Sequence, residues 1–307
     1  MAIVKKLAFA PLFLIFFGFL IYSLIPLLSS YDFIFSFSLN NLIQLMIIAA
    51  LLTVSGLFFA VFVTLAADWK LILPVNLLAA LLPLFFLETA LALVFSVVIL
   101  VGLLLTFLAL ESSLKSYLTF KPEVLLGPAI RRLAILLTMA FCLVFFLSIN
   151  KIISQSGFQI PDSLIDTTLK MVPLESSGED TQLTQLPNIA PEQLELLKKN
   201  PELVRQSGLD PSILDSLSSP KSSKKPQNFT QELVKQTVKD QIQNLIKPYI
   251  NFIPAGLTLL LFFTVLSLVS FINLLIYPLL WITFFILEKT GFVKFTVEQR
   301  PVKKLVV

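Results

Sequence analysis

Apolar residues run through most of this chain in long stretches, separated by short polar breaks and by one long polar insert. The longest stretch, residues 71–110, contains a single charge, Glu88. A helix of that length would reach ~60 Å at ~1.5 Å per residue, about twice the ~30 Å hydrocarbon core of a bilayer. The pattern therefore predicts two membrane crossings that turn near Glu88. The same reading gives spanning segments at residues 7–28, 42–67, 71–87, 89–110 and 133–148. A further apolar stretch, residues 253–287, is long enough for two passes. The fold class is thus all-α: a polytopic transmembrane helical bundle of about seven segments, or six if the last stretch crosses once. Pro74 and Pro83 are expected to bend or shorten the third helix. Trp69, Tyr117, Tyr249 and Trp281 fall near segment ends, as interfacial aromatics do.

The polar insert predicts a different kind of structure. Residues 150–249 read as a small, loosely packed helical soluble insert between membrane segments. Residues 162–172 suit a helix, and 174–190 suit a linker around Ser176-Ser177-Gly178. In residues 191–217, Pro191 and Pro201 fit first-turn positions, Gly208 fits a C-terminal stop, and Asp210-Pro211 fits an N-cap followed by N1. Three short helices there would share Leu194, Leu197, Leu203, Val204, Leu209, Ile213 and Leu217. A core that small is marginal alone, so these helices are candidates for docking on the bundle or on a protein partner. Residues 218–227 form a flexible linker by composition. From Thr230, Val234, Val238, Ile242 and Leu245 recur on one helical face. The domain division is therefore 1–149 for a five-helix bundle, 150–249 for the insert, 250–288 for the C-terminal membrane region and 289–307 for a basic tail.

Composition agrees with this division. Hydrophobic residues make up 56% of the chain, charged residues 14%, and the mean hydropathy is +0.89, against ~45–50% apolar and ~25% charged in soluble domains. The first apolar segment exceeds the ~7–15 residues of a cleavable signal peptide, and no small-residue cleavage site follows it. It is read as an uncleaved helix.

Charge sets the expected orientation. Lys5 and Lys6 precede the first helix, Lys70 lies in the second turn, and Lys115, Lys121, Arg131 and Arg132 fill the linker before the fifth span. The alternate loops carry Asp32 and Glu88. This alternation predicts a plasma-membrane protein with a cytoplasmic N-terminus and an extracytoplasmic insert. The tail, with Lys289, Lys294, Arg300, Lys303 and Lys304, prefers the cytoplasm. Two passes in residues 253–287 would place it outside; one pass plus an interfacial helix would not. Length favours two passes, with Asn273 and Pro278 as the turn features. The segment 111–132 is expected to form an amphipathic interfacial helix with a Glu111/Lys115 pair, ending at Lys121-Pro122, with Pro128 opening the fifth span.

Candidate chemistry is sparse. The net charge of +4 is spread over segment ends, which does not fit a nucleic-acid partner. There is no histidine and one cysteine, Cys142. A zinc site and a Ser–His–Asp triad therefore cannot be written, and no metal or cofactor is expected. Asp162 and Asp166 share a helical face, but exposed helices ordinarily carry such pairs. A Ser–Lys dyad needs a desolvated lysine, whereas the serines sit in linker-like sequence. Asn228–Thr230 matches a glycosylation acceptor, although Thr230 serves equally as an N-cap. Two residues remain as functional candidates. Glu88 could be an ion or proton site, and a turn at the outer interface is the simpler expectation. Asp32 follows the first helix, where lipid-linked sugar transferases place acids; this chain has one where those families show more, so a hydrated loop residue is expected. Mid-span polar residues are scattered and no G-x-x-x-G occurs, which predicts a loosely packed bundle with Leu- and Phe-rich lipid-facing surfaces. The expected function is that of a non-enzymatic integral membrane protein contacting the bilayer, whose insert mediates protein–protein interaction or docking. A transporter or channel component, and a membrane enzyme acting on lipid-linked substrates, are the alternatives.

Overall fold

The computed structural model describes residues 2–35, 38–117, 119–161 and 246–294, together with Ile165, Lys239, Ile242 and Gln243. It is all-helical, with no strand among the described residues. The helices are α1 (Ala2–Leu7), α2 (Ala10–Ser29), α3 (Asp32–Phe35), α4 (Leu39–Ala66), α5 (Trp69–Leu81), α6 (Thr89–Ser116), α7 (Pro122–Ser156), α8 (Ile253–Asn273) and α9 (Ile276–Lys289). Five helices, taken as Lys5–Ser29, Leu39–Ala66, Thr89–Ser116, Pro122–Ser156 and Lys247–Asn273, are long and apolar enough to cross a membrane. That is compatible with an integral membrane protein in contact with lipid.

The chain divides into two compact units, Met1–Ser163 with Ile246–Val307, and Leu164–Leu245. In the second unit Ile165, Lys239, Ile242 and Gln243 are helical. The helices expected at residues 191–217, Asp162 and Asp166, and the Asn228–Thr230 motif lie outside the described residues.

In the first unit α4 and α7 form the centre. α4 packs on α2, α7 and α8, and α7 packs on α6, α4, α8 and α9. The core is aromatic: Phe13, Phe17, Phe59, Phe62, Phe95, Phe141 and Phe145 are all fully buried. Phenylalanines occur on both sides of the bundle, since Phe19, Phe85, Phe86, Phe252, Phe263, Phe271 and Phe285 are exposed together with many leucines. The expectation of loose crossings needs correction at one point. A Cβ on Gly56 of α4 would lie 3.1 Å from Ile130 Cγ2 and 3.4 Å from the Ile130 carbonyl oxygen of α7. One glycine opposite a β-branched residue permits close backbone approach without a repeated glycine motif.

Helix boundaries follow local chemistry. Ser38 caps α4 by accepting from the Asn41 N–H at 3.2 Å, and Asp68 caps α5 by accepting from the Lys70 N–H at 3.1 Å. Between α4 and α5, Ala67 takes a left-handed φ of 48°. α5 contains Pro74 and tightens at Leu82–Phe85 into a 3-10 turn that includes Pro83. Together these reach roughly 28 Å; Pro83 falls where the helix tightens, whereas α5 continues through Pro74. The linker behaves differently from its expectation. α6 continues straight to Ser116 with the Glu111–Lys115 pair at 2.6 Å, and α7 begins at Pro122, leaving Pro128 inside the helix. A proline at N1 starts a helix without loss, and the one at Pro128 forfeits a single ladder bond.

The unit has two polar ends. At one, the Ser148 hydroxyl of α7 donates to the Leu28 carbonyl of α2 at 2.7 Å, and Glu88 meets Lys151. At the other, Phe9 lies 6.4 Å from Phe292, Phe120 lies 5.3 Å from Phe284, and Lys5 Nζ donates to the Gly291 carbonyl at 3.4 Å. Tyr277 packs beside Gly127 near the same end, where a Cβ on the glycine would lie 3.3 Å from Cε1. The start, middle and C-terminal side of α9 therefore all attach to one end of the bundle.

Candidate functional site

The two candidate acids both lie toward the end of the first unit where α7 terminates, but in separate arrangements. Glu88 is the residue before α6, where α5's 3-10 extension has ended. Its carboxylate accepts from Lys151 Nζ at 2.7 and 2.8 Å, and both side chains are about half exposed or more. An exposed pair of this kind contributes ~0–1 kcal/mol. Lys151 counts in the sequence only as one of the insert's lysines, because its partner is 63 residues away. Helical phase alone cannot reveal such a pairing.

Asp32 starts the short helix α3, with an exposed side chain and a backbone N–H that donates to Ser30 Oγ at 3.1 Å. Among the described residues no ion pair involves it. Its neighbour Tyr31 is the better-anchored group. The Tyr31 hydroxyl donates to the Gln159 carbonyl at 3.0 Å and accepts from the Gln159 N–H at 3.1 Å. The ring also stacks on Phe158 at 5.4 Å. Tyr31 thus ties the loop after α2 to the segment that follows α7, beyond Gly157 at φ 71°. Sequence reading missed this clasp, since a tyrosine in a short loop carries no signal for a partner 128 positions on.

Inside the bundle, the buried polar side chains among the described residues are neutral: Thr53, Ser55, Asn76, Ser96, Thr106, Thr138 and Ser148. Thr53, Thr106 and Thr138 donate to carbonyls four residues back in their own helices. Such bonds satisfy a hydroxyl in apolar surroundings without linking helices. Asn76 is fully buried with no hydrogen-bond partner for either amide atom, and the Ser55 and Ser96 hydroxyls also have none. These three sit on α4, α5 and α6, three helices in mutual contact, but no bond joins them. Among the described residues no group of three acidic or cysteine side chains converges to hold a metal ion.

Among the described residues the contacts of Tyr31, Ser148 and Glu88 link one helix or its flanking loop to another. The Glu88–Lys151 pair and the Tyr31–Gln159 bonds fix the point where the chain leaves α7. No protein-family model, curated protein or solved structure matches this chain.

Proposed function

We propose that this is a non-enzymatic, multi-pass membrane protein whose 150–249 insert binds another protein or docks on the bundle. The observation that carries this reading is the separate compact unit Leu164–Leu245, which in sequence follows α7 and precedes α8, two helices each long enough to cross a membrane. Its sequence places Leu194, Leu197, Leu203 and Ile213 at helical spacing on helices too short to bury them among themselves. Glu88 and Asp32 are structural in this reading, a clasp and a hydrated loop residue.

The membrane arrangement follows from charge and length. α2, α4, α6, α7 and α8 each cross, and α5 with its 3-10 extension crosses as a sixth segment, short enough to need little tilt. α9 spans about 21 Å, less than the hydrocarbon core. Its start, Phe284 and the residues just beyond its end attach to one end of the bundle, which supports a helix lying in the interface and a single crossing by residues 253–287. The end of the bundle that holds Lys5, Lys70, Lys115, Lys121, Arg131, Lys289 and Lys294 then faces the cytoplasm, and the insert faces outward.

The test is site-directed photocrosslinking in native membranes, with the photoreactive residue at Leu203. The expected product is either one discrete heavier adduct or an internal crosslink to α2–α8, lost when Leu197 is changed to Glu. Diffuse, Leu197-independent labelling would overturn the proposal.

A further inference from the structure

We propose that the cavity between α7, α8 and α9 binds the headgroup of an acidic phospholipid. It encloses about 260 Å³ and is lined by Gly127 and Arg131 of α7, Ser270 and Asn273 at the end of α8, Leu274 in the turn, and Tyr277 in the first turn of α9. Two features of it point to a phosphate. Arg131 makes no ion pair among the described residues, and its planar donor fork matches phosphate oxygens. No acidic side chain lines the cavity, so a cation is disfavoured. Gly127 lets the Tyr277 ring pack close against α7, since a Cβ there would come within 3.3 Å of it.

The surroundings favour a lipid over a soluble phosphate. The apolar run of α7 begins at Leu133, just past Arg131, and that of α8 ends at Asn273. In an embedded bundle these limits put the cavity at headgroup depth. Its rim is apolar and exposed: Phe271 is 63%, Leu274 66% and Leu275 57% accessible, a surface along which acyl chains can lie. The inference rests on the reading of the bundle as membrane-embedded, and it holds whichever face of the membrane this end occupies.

Trp281 follows Tyr277 by four residues, one helical turn, and Trp69 is the only other tryptophan. Full-length Trp69→Phe protein is reconstituted in phosphatidylcholine vesicles containing increasing amounts of acyl-brominated phosphatidylglycerol or acyl-brominated phosphatidylcholine. Quenching of Trp281 is read in each series. The expected result is half-quenching at about fivefold less phosphatidylglycerol than phosphatidylcholine, the size one basic side chain confers at an anionic surface. Arg131→Gln should abolish that preference and Arg131→Lys should retain part of it. Arg132→Gln, an exposed neighbour outside the cavity, should preserve it. Equal quenching by the two lipids, or a preference that survives Arg131→Gln and falls with Arg132→Gln, would overturn the proposal. Loss of the preference on adding millimolar inorganic phosphate at constant ionic strength would assign the cavity to a soluble anion and overturn the lipid assignment. No quenching by either lipid would remove the embedded bundle itself.

Discussion

Gly56 and Glu88 show how differently single residues act in this bundle. Gly56 sets the closest approach of the two central helices, with Ile130 already at contact distance from a hypothetical Cβ and itself fully buried. Gly56→Ala should lower the midpoint of thermal unfolding in detergent, and Ile130→Ala should do so by opening a cavity. Because the two changes relieve one another, the double variant should be less destabilised than the sum by ~0.5–3 kcal/mol. Strict additivity would mean that the helices do not meet there. Glu88 acts through an exposed ion pair, so Glu88→Gln should shift stability by no more than ~1 kcal/mol and leave cellular abundance near that of the wild type. A large loss of abundance would show that the carboxylate is held in surroundings far less hydrated than the described residues provide.

Helices were legible in the sequence wherever an apolar run met a charge. The expected segments 42–67, 71–87 and 89–110 start within three residues of α4, α5 and α6, while the Ser38 and Asp68 caps that set two of those starts emerged only from the structure. α6 and α7 run farther than their apolar cores, to Ser116 and from Pro122, because an amphipathic flank continues a helix as readily as an apolar one. The break at Leu274–Leu275 follows Asn273, one of the two expected turn features, yet the course of α9 was not legible. It depends on Phe284 meeting Phe120 and on Phe292 meeting Phe9, contacts between residues too distant in sequence for periodicity to register. The Tyr31–Gln159 clasp and the cavity beside Asn273 were hidden for the same reason. The short helices expected in residues 191–217 rest on composition and spacing alone. A purified fragment of residues 160–225 should therefore show modest helicity by circular dichroism and no cooperative thermal transition, since so few apolar residues do not stabilise an isolated domain. A sharp, reversible melt would establish an autonomous domain and remove the argument for docking.

At the scale of the whole molecule, charge and the contacts of the first unit both support the arrangement proposed above. The end of the bundle that gathers most basic side chains also holds α1, the turn between α6 and α7, and both ends of α9, while the chain leaves for the insert from the opposite end. The orientation conflict raised by the basic tail disappears if residues 253–287 cross once, with α9 in the interface. Single cysteines in a Cys142→Ser background test this directly, at Ser177 and Ser223 in the insert and at Ser116 and Lys303 beside the basic residues, using a membrane-impermeant thiol reagent on intact cells. The account predicts labelling at Ser177 and Ser223 in intact cells, and labelling at Ser116 and Lys303 only after lysis. Labelling of Lys303 in intact cells together with the insert positions would mean a second crossing by α9, and protection of Ser177 and Ser223 until lysis would reverse the molecule in the membrane.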